Sequence, residues 1–378
     1  MSLQTPSLEA WFNRYEAGAA HSLGSTMVQT WKGADLAPYF PEGWGPGAFE
    51  YGYVPTPGSY SLRALIAAEL GLEAEQIFLT AGATEANHTV LRGMIRPGDS
   101  VVLQDPLYYQ FADLAAELGA EVRRWTLSPD PYEPVDIAAL EALIDDSTRL
   151  VVLNTPHNPT GRCLDEKSLR EIARLVEARP RTHLLVDEIY RGVGVDLAPS
   201  AVALSDRAIV TNAVSKRWCL PGLRLGWVAT RSQALQACLP YHEYATCCVS
   251  RLSEQVIEAL WPRREELFEA NQAIAERNRR RFGAWLEQMK GLLEGVVPPV
   301  GVVTLIWPQA SNDRQLAAQL REEFDLFCLP GSTLGYPGAL RVGFGHRDPA
   351  TLDAALTRLE EGLRQLAPAP SPMAGARP

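Results

Sequence analysis

An α/β fold is predicted for this chain: a large domain built on a mostly parallel, seven-stranded sheet flanked by helices, followed by a smaller α+β domain. Three observations predict it. From Gln76 to about Ala229, short runs rich in β-branched residues alternate with stretches of helical period, which is how strands joined by crossover helices read. From about Gly291 onward the pattern changes to fewer strands and longer helices. At 378 residues the chain is also too long for one comfortable hydrophobic core. The expected divisions are residues 1–40 as a segment packing with the small domain, 41–288 as the large domain, 289–366 as the small one, and 367–378 as a disordered tail.

Leu8, Trp11 and Phe12 recur at helical spacing and predict a short amphipathic helix over Ser7 to Arg14. Gly18 to Phe49 is rich in Gly, Pro and aromatic residues, shows no period, and reads as an extended segment lining something. Pro57 and Gly58 then fix a turn before a helix from about Tyr60 to Leu70, with Ser59 or Ser61 able to cap it. Strands are predicted at Ile77 to Thr80, Val101 to Gln104, Val122 to Trp125, Leu150 to Asn154, His183 to Val186, Ile209 to Val214 and Leu225 to Ala229. Helices over Glu85 to Ile95 and Leu107 to Leu118 lie between them. Leu252 to Leu286 reads as a long helix broken near Trp261-Pro262, because proline lacks a donor and clashes with the preceding turn. The small domain should hold a strand over Val302 to Trp307, a helix over Asp313 to Phe324, a strand over Leu340 to Phe344 and a last helix over Pro349 to Leu366. Ala367 to Pro378 has little to bury.

Apolar residues at 46% and charged residues at 21% are ordinary for a globular enzyme. A formal charge of −10 argues against nucleic acid as a partner, since neutralising phosphates takes a basic face. The run Arg277-Asn278-Arg279-Arg280-Arg281 falls inside the long helical pattern and reads as a solvated face. The six cysteines form no Cys-x-x-Cys pair and no metal-like spacing with histidine, so reduced thiols and no metal site are expected. The N-terminus lacks a basic start with an apolar core, and no apolar run reaches membrane-spanning length. The expected place of the protein is the cytoplasm, away from membranes.

The chemistry concentrates at the ends of the predicted strands, where ligands of such sheets sit. Lys216 stands on a turn between the apolar runs Ala208 to Val214 and Leu225 to Ala229, in Ser215-Lys-Arg-Trp-Cys-Leu-Pro-Gly-Leu-Arg224. A lysine amine is nucleophilic only when neutral, so burial and nearby positive charge, here from Arg217 and Arg224, are needed to activate it. Asp187 ends an apolar strand, where a carboxylate has little reason to be unless it meets a cation or caps a helix. Gly82-Ala83-Thr84 follows a strand and opens a helix, a place whose free amides favour a phosphate, although many such turns only cap. Arg341 lies within a predicted strand, where a buried guanidinium needs an anion, either a ligand carboxylate or a structural ion-pair partner. A Schiff-base lysine, an acidic partner for a ring nitrogen and phosphate donors are what pyridoxal phosphate chemistry asks of a protein.

With Asn154-Thr-Pro-His-Asn158-Pro-Thr-Gly161, Val186-Asp-Glu-Ile-Tyr190 and Leu340-Arg-Val-Gly343 added, the chain resembles the class I/II aminotransferases of pyridoxal phosphate fold type I over nearly its whole length. That resemblance implies an aspartate aminotransferase-like fold, a homodimer, pyridoxal 5'-phosphate as cofactor, and exchange of an amino group between an L-amino acid and a 2-oxo acid. It implies Lys216 as the catalytic Schiff-base residue and Ala83, Thr84, Ser215 and Arg224 around the phosphate. It further implies Asp187 on the ring nitrogen, Asn158 and Tyr190 on the ring oxygen, and Tyr108 stacked on the ring. Tyr53 would reach the partner's phosphate. Arg341 would grip the substrate carboxylate, with Asn158 and Gly24 as further substrate contacts. Asn154 reads as satisfying backbone groups at a strand end, and His157 has no catalytic role. The family usually carries a small polar residue three positions before the lysine; Ala213 stands there, which would cost the phosphate one hydroxyl. Other fold-type I reactions, such as β-elimination, decarboxylation or a cyclisation, fit the same motifs. Leu8-Glu-Ala-Trp11 and the segment Gly24 to Trp31 look similar to capreomycidine synthase-like members of the superfamily.

Overall fold

The computed structural model describes residues 5–192, 198–310 and 312–366; the tail expected over 367–378 lies outside the described residues. Thirteen strands are described: β1 (His21–Ser22), β2 (Ile77–Thr80), β3 (Ser100–Asp105), β4 (Glu121–Thr126), β5 (Thr148–Asn154), β6 (His183–Asp187), β7 (Ala208–Ala213), β8 (Gly226–Thr230), β9 (Leu293–Gly295), β10 (Val303–Pro308), β11 (Leu326–Phe327), β12 (Leu329–Pro330) and β13 (Leu340–Gly343). Seven of them form the large sheet in the order β2-β8-β7-β6-β5-β3-β4. Strands β3 to β7 run parallel, and β8 is antiparallel to both of its neighbours.

Strand alternation sorts side chains to the two faces. Val151, Leu153, Leu184, Val186 and Val210 pack in one core, while Leu150, Val152, Leu185 and Ile209 pack in another on the opposite side. The helix Glu166–Glu177 covers the first face with Leu169, Ile172, Ala173 and Val176, a stripe at helical spacing, and Asp165 caps it by accepting from the Ser168 amide. The helices Ala83–Met94 and Gln110–Glu117 cover the second face through Val90, Leu91, Met94, Phe111 and Leu114. Every parallel strand therefore points its carboxyl end to the same rim, where Asn154, Asp187 and the turn after Ala213 gather.

The long helical pattern breaks where proline required it, into Arg251–Leu260, a short 3-10 turn Trp261–Arg263, and Arg264–Gln288. Beyond it lie the antiparallel sheet β12-β13-β10-β9 and the helices Asp313–Phe324 and Pro349–Leu366. Their core, with Phe282, Leu305, Phe327, Val342, Phe344 and Leu356, also takes in Leu8, Trp11, Leu23 and Val28 from the start of the chain. The period-free segment is extended only over its first part; further on it turns helical at Gly33–Leu36, Ala37–Tyr39 and Pro46–Ala48, which corrects the expectation for that stretch. β1 pairs in parallel with β11, the Gly343 amide donates to the Leu23 carbonyl at 2.6 Å, and the Gln29 amide donates to the Gly345 carbonyl at 2.6 Å.

One further expectation needs correcting, and two elements go beyond the sequence reading. The arginine run is a solvated face only in part: Arg280 and Arg281 are exposed and pair at the surface with Glu276 and Asp353, whereas Arg277 donates to the His346 and Arg347 carbonyls at 3.1 and 2.8 Å and Arg279 to Pro299. Their helix is wrapped by loops whose carbonyls need donors. A helix over Ala234–Ala245 forms although Pro240 sits inside it, a residue that argues against helix when read locally. The short strand β9 adds an edge to the smaller sheet that the sequence pattern does not announce.

Gly343 is where the extended segment presses closest, since a Cβ there would lie 1.7 Å from the Ser25 carbonyl oxygen. The obstacle is backbone and cannot turn aside. Gly343→Ala should lower unfolding stability by about 2 kcal/mol, read from denaturant midpoints at unchanged slope.

Candidate active site

A cavity of about 380 Å3 opens at the carboxyl rim of the large sheet, bounded on its other side by the segment Gly24–Met27, the first helix and Arg341. Lys216, Asp187, Asn158, Tyr190, Tyr108, Ala83, Thr84, Ser215, Arg224, Arg341 and Gly24 all line it. Tyr53 does not: it lies outside the cavity and is 94% exposed.

Asp187 closes β6 and is buried. One carboxylate oxygen accepts from the Ile189 amide at 3.0 Å and the other from the Asn87 amide side chain at 3.1 Å, and Asn87 is held in turn by the Thr211 hydroxyl at 2.6 Å. Burial pushes this carboxyl up to about 6, although those hydrogen bonds and the charge of Lys216 pull the other way. Asn154 supports the same strand end by donating to the Asp187 carbonyl at 2.9 Å and accepting from the Asn158 amide at 2.9 Å.

Lys216 follows β7 on the turn that leads back into antiparallel β8. Its Nζ donates to the Thr26 hydroxyl at 2.7 Å, which also accepts from the Tyr190 hydroxyl at 3.1 Å, and the amine lies 5.4 Å from the centre of the Tyr190 ring. Arg224 leaves the turn in the left-handed region, φ 48°, and its guanidinium donates to the Pro221 and Ala81 carbonyls at 3.1 and 3.2 Å. Gly82, with φ 89°, stands against it at the start of the helix Ala83–Met94; a Cβ there would lie 2.6 Å from the Arg224 Nη2. The first amides of that helix, Ser215 and Arg224 thus meet at one end of the cavity.

Arg341 is buried at the other end. Its guanidinium donates to the Gly24 carbonyl at 2.6 Å and to the Asn158 side-chain oxygen at 3.4 Å, while its Nε has no partner among the described residues. Burial pulls its basicity down to about 10. Two carboxylates share this end. The half-buried Glu9 accepts from the Tyr109 and Tyr108 hydroxyls at 3.1 and 3.4 Å, and Glu16 stands at the mouth. Burial and the neighbouring Glu9 raise the Glu16 carboxyl, against the pull of Arg341.

The sequence places several neighbours wrongly or not at all. Arg217 does not add charge beside Lys216; it points away to Glu69 at 2.7 Å and packs on the Phe268 ring, because successive residues of a turn face opposite sides. For Trp31 and Trp218 the sequence leaves lining and packing both open, and the structure decides for packing, Trp31 under Arg347 and Trp218 against Trp261 and Phe268. His157 is buried between Thr160 and the Pro106 carbonyl, and Ala213 is absent from the lining. Thr26, Asn87, Glu9 and Glu16 are lining residues that local reading missed.

The profile of the family "Aminotransferase class I and II" matches residues 49–359. The chain belongs to that family. It is 30% identical to a capreomycidine synthase of Streptomyces vinaceus over 82% of this chain and 80% of that protein. It is 27% identical to human tyrosine aminotransferase over 83% of this chain and 73% of that one. Among solved structures, a PLP-dependent aminotransferase from Streptococcus suis superposes with a TM-score of 0.91 at 27% identity, covering 98% of this chain and all of its own, 100%. The PLP-dependent cyclase OrfR superposes with a TM-score of 0.89 at 26% identity, over 97% of this chain and 98% of that one. The fold is the aspartate aminotransferase-like fold type I, and the enzyme depends on pyridoxal phosphate. The cavity fits that group: a dry carboxylate awaits a cationic nitrogen, the glycine cradle at Gly82 leaves helix amides open, and an arginine nitrogen has no partner.

In the cofactor-free protein Asp187 titrates at about 6 rather than at the ordinary 3.8. Its protonated form therefore stabilises the fold fully below the ordinary value, and that contribution is lost as pH rises through about 6. Relative to the parent protein, Asp187→Asn should gain up to about 3 kcal/mol of stability between pH 4 and pH 8. Paired denaturant unfolding of the cofactor-free forms reads this; a difference independent of pH would contradict it.

Proposed function

We propose that this enzyme is an aminotransferase that exchanges the amino group between an L-amino acid and a 2-oxo acid, working as a cytoplasmic homodimer. What carries the reading is one cavity lined by a lysine amine, a buried carboxylate and a buried arginine with a free donor. Pyridoxal phosphate supplies, when bound, an aldehyde carbon for an amine and a ring that takes up the electron pair left at the substrate's α-carbon.

The remaining work falls to the chain. The Ala83 and Thr84 amides, the Ser215 hydroxyl and Arg224 hold the phosphate. Asp187 keeps a proton at the ring nitrogen; opposite charges about 4 Å apart at an effective dielectric of about 20 attract by roughly 4 kcal/mol, enough to offset the cost of burial. Asn158 and Tyr190 would donate to the ring oxygen, and Tyr108 would cover the ring. The Lys216 amine would hold the cofactor's aldehyde carbon and, when free, would take the proton from the substrate's α-carbon and return it, as general base and then acid. Arg341 grips the substrate carboxylate with its unpartnered nitrogen, beside Asn158 and the Gly24 carbonyl. Tyr53, exposed in the single chain, reaches the phosphate of the second protomer. Six unpaired cysteines suit a reducing compartment.

A second reading is favoured by the carboxylates at the arginine end. Glu9 and Glu16 suit a substrate that carries a cation beyond its α-carboxylate, and the likeness to a capreomycidine synthase and a cyclase supports a cyclisation in place of amino transfer. In that case a basic amino acid is consumed without any 2-oxo acid acceptor.

Lys216→Ala should abolish turnover and the visible absorbance of lysine-bonded cofactor; a variant keeping both would end the assignment. A screen of amino-acid donors, with and without 2-oxo acid, should show consumption only with acceptor present if amino transfer is the reaction. Glu9→Gln should lower kcat/KM for lysine- or arginine-like donors by about tenfold and leave neutral donors within about twofold. Equal losses for both donor classes would remove Glu9 from substrate recognition.

A further inference from the structure

Glu85 is the third residue of the helix Ala83–Met94, so its carboxylate lies in the first turn, beside the amides assigned above to the phosphate. It does not line the cavity. Instead it accepts from the Ala81 amide, from the Thr246 hydroxyl, and from His242 Nδ1 at 2.9 Å. The other nitrogen of that ring, Nε2, faces the Thr56 carbonyl oxygen at 3.1 Å. Carboxylate and carbonyl oxygens only accept, so an imidazole held between them carries a proton on both nitrogens and hence a positive charge. His242 is fully buried, with no exposed surface. Burial raises the Glu85 carboxyl, but its three hydrogen bonds outweigh that and hold it below the ordinary range.

Two consequences meet at one residue. The Ala81 N–H donates to Glu85 and the Ala81 carbonyl accepts from Arg224 at 3.2 Å, which fixes the two peptides just before Gly82. A carboxylate at a helix start also occupies the field a phosphate would use, and two anions there repel unless one is neutralised. We propose that the Glu85–His242 pair is a positioning device for the phosphate site: Glu85 sets the Ala81–Gly82 backbone, and the charge of His242 cancels the repulsion Glu85 would otherwise exert on the phosphate. The proposal rests on the reading that the phosphate lies at Ala83, Thr84 and Arg224. The same ring holds Thr56, three residues beyond Tyr53, so the brace also fixes the segment that presents that exposed tyrosine.

The test titrates the cofactor-free full-length protein with pyridoxal phosphate and, separately, with pyridoxal, which lacks the phosphate. His242→Gln should weaken pyridoxal phosphate by about tenfold or more and pyridoxal by no more than about twofold. Glu85→Gln combined with His242→Gln keeps an acceptor for the Ala81 amide and removes both charges, so it should recover most of the lost affinity. Thr246→Val, a mild change should the histidine variant fold poorly, loosens the carboxylate and should weaken only the phosphate form, by about threefold. Equal weakening of both ligands, a double variant no better than His242→Gln, or an indifferent Thr246→Val would overturn the brace. If the unaltered protein binds the two ligands equally tightly, the phosphate reading itself falls instead.

Discussion

The cavity depends on a carboxylate kept in a dry place. Asp187 is carried to the rim by a strand whose neighbours are apolar on both faces, and the fold surrounds it with donors that are neutral, Asn87 and the Ile189 amide. Neutral donors orient a carboxylate without discharging it, which leaves a free-energy debt that only a cation can settle. The rest of the rim follows from this: a lysine enters from the next strand, and the opposite wall provides an arginine whose two Nη groups go to Gly24 and Asn158.

The geometry of the end formed by Gly82, Ser215 and Arg224 comes from topology. Because β8 runs against its neighbours, the chain must reverse after β7, and the reversal through Pro221 to Leu223 throws Arg224 into a left-handed conformation that aims it at Gly82. An all-parallel sheet would have sent that residue into a crossover helix. The single antiparallel strand is thus what lets Lys216 and Arg224, eight residues apart, work on one small volume.

Much of this was legible in the sequence. The seven strands of the large sheet and the helix broken at Trp261-Pro262 were readable from period and proline, the lining positions of Lys216, Asp187 and Asn158 because they come just past the end of an apolar run, and that of Arg341 because a guanidinium interrupts a strand. Thr26 and Asn87 were not, since each meets its partner across a hundred residues or more and only chain closure brings them there. Arg217 misled because closeness along a turn says nothing about direction. The acids Glu9 and Glu16 look like ordinary surface residues of a short helix and the loop after it until the helix is seen to cap the cavity. Domain boundaries and the roles of individual lining residues are proposals that rest on chemistry and resemblance.

The stitching of residues 21–29 onto β11 and the strand end at Gly343–Gly345 has a mechanical corollary. Gly24, Thr26 and Arg341 ride on one stiff plate, while Lys216 and Asp187 ride on another. Were the plates to hinge, the hydroxyl that cradles the amine would travel together with the guanidinium, so a single swing would gear the nucleophile's freedom to the arrival of the ligand's anion.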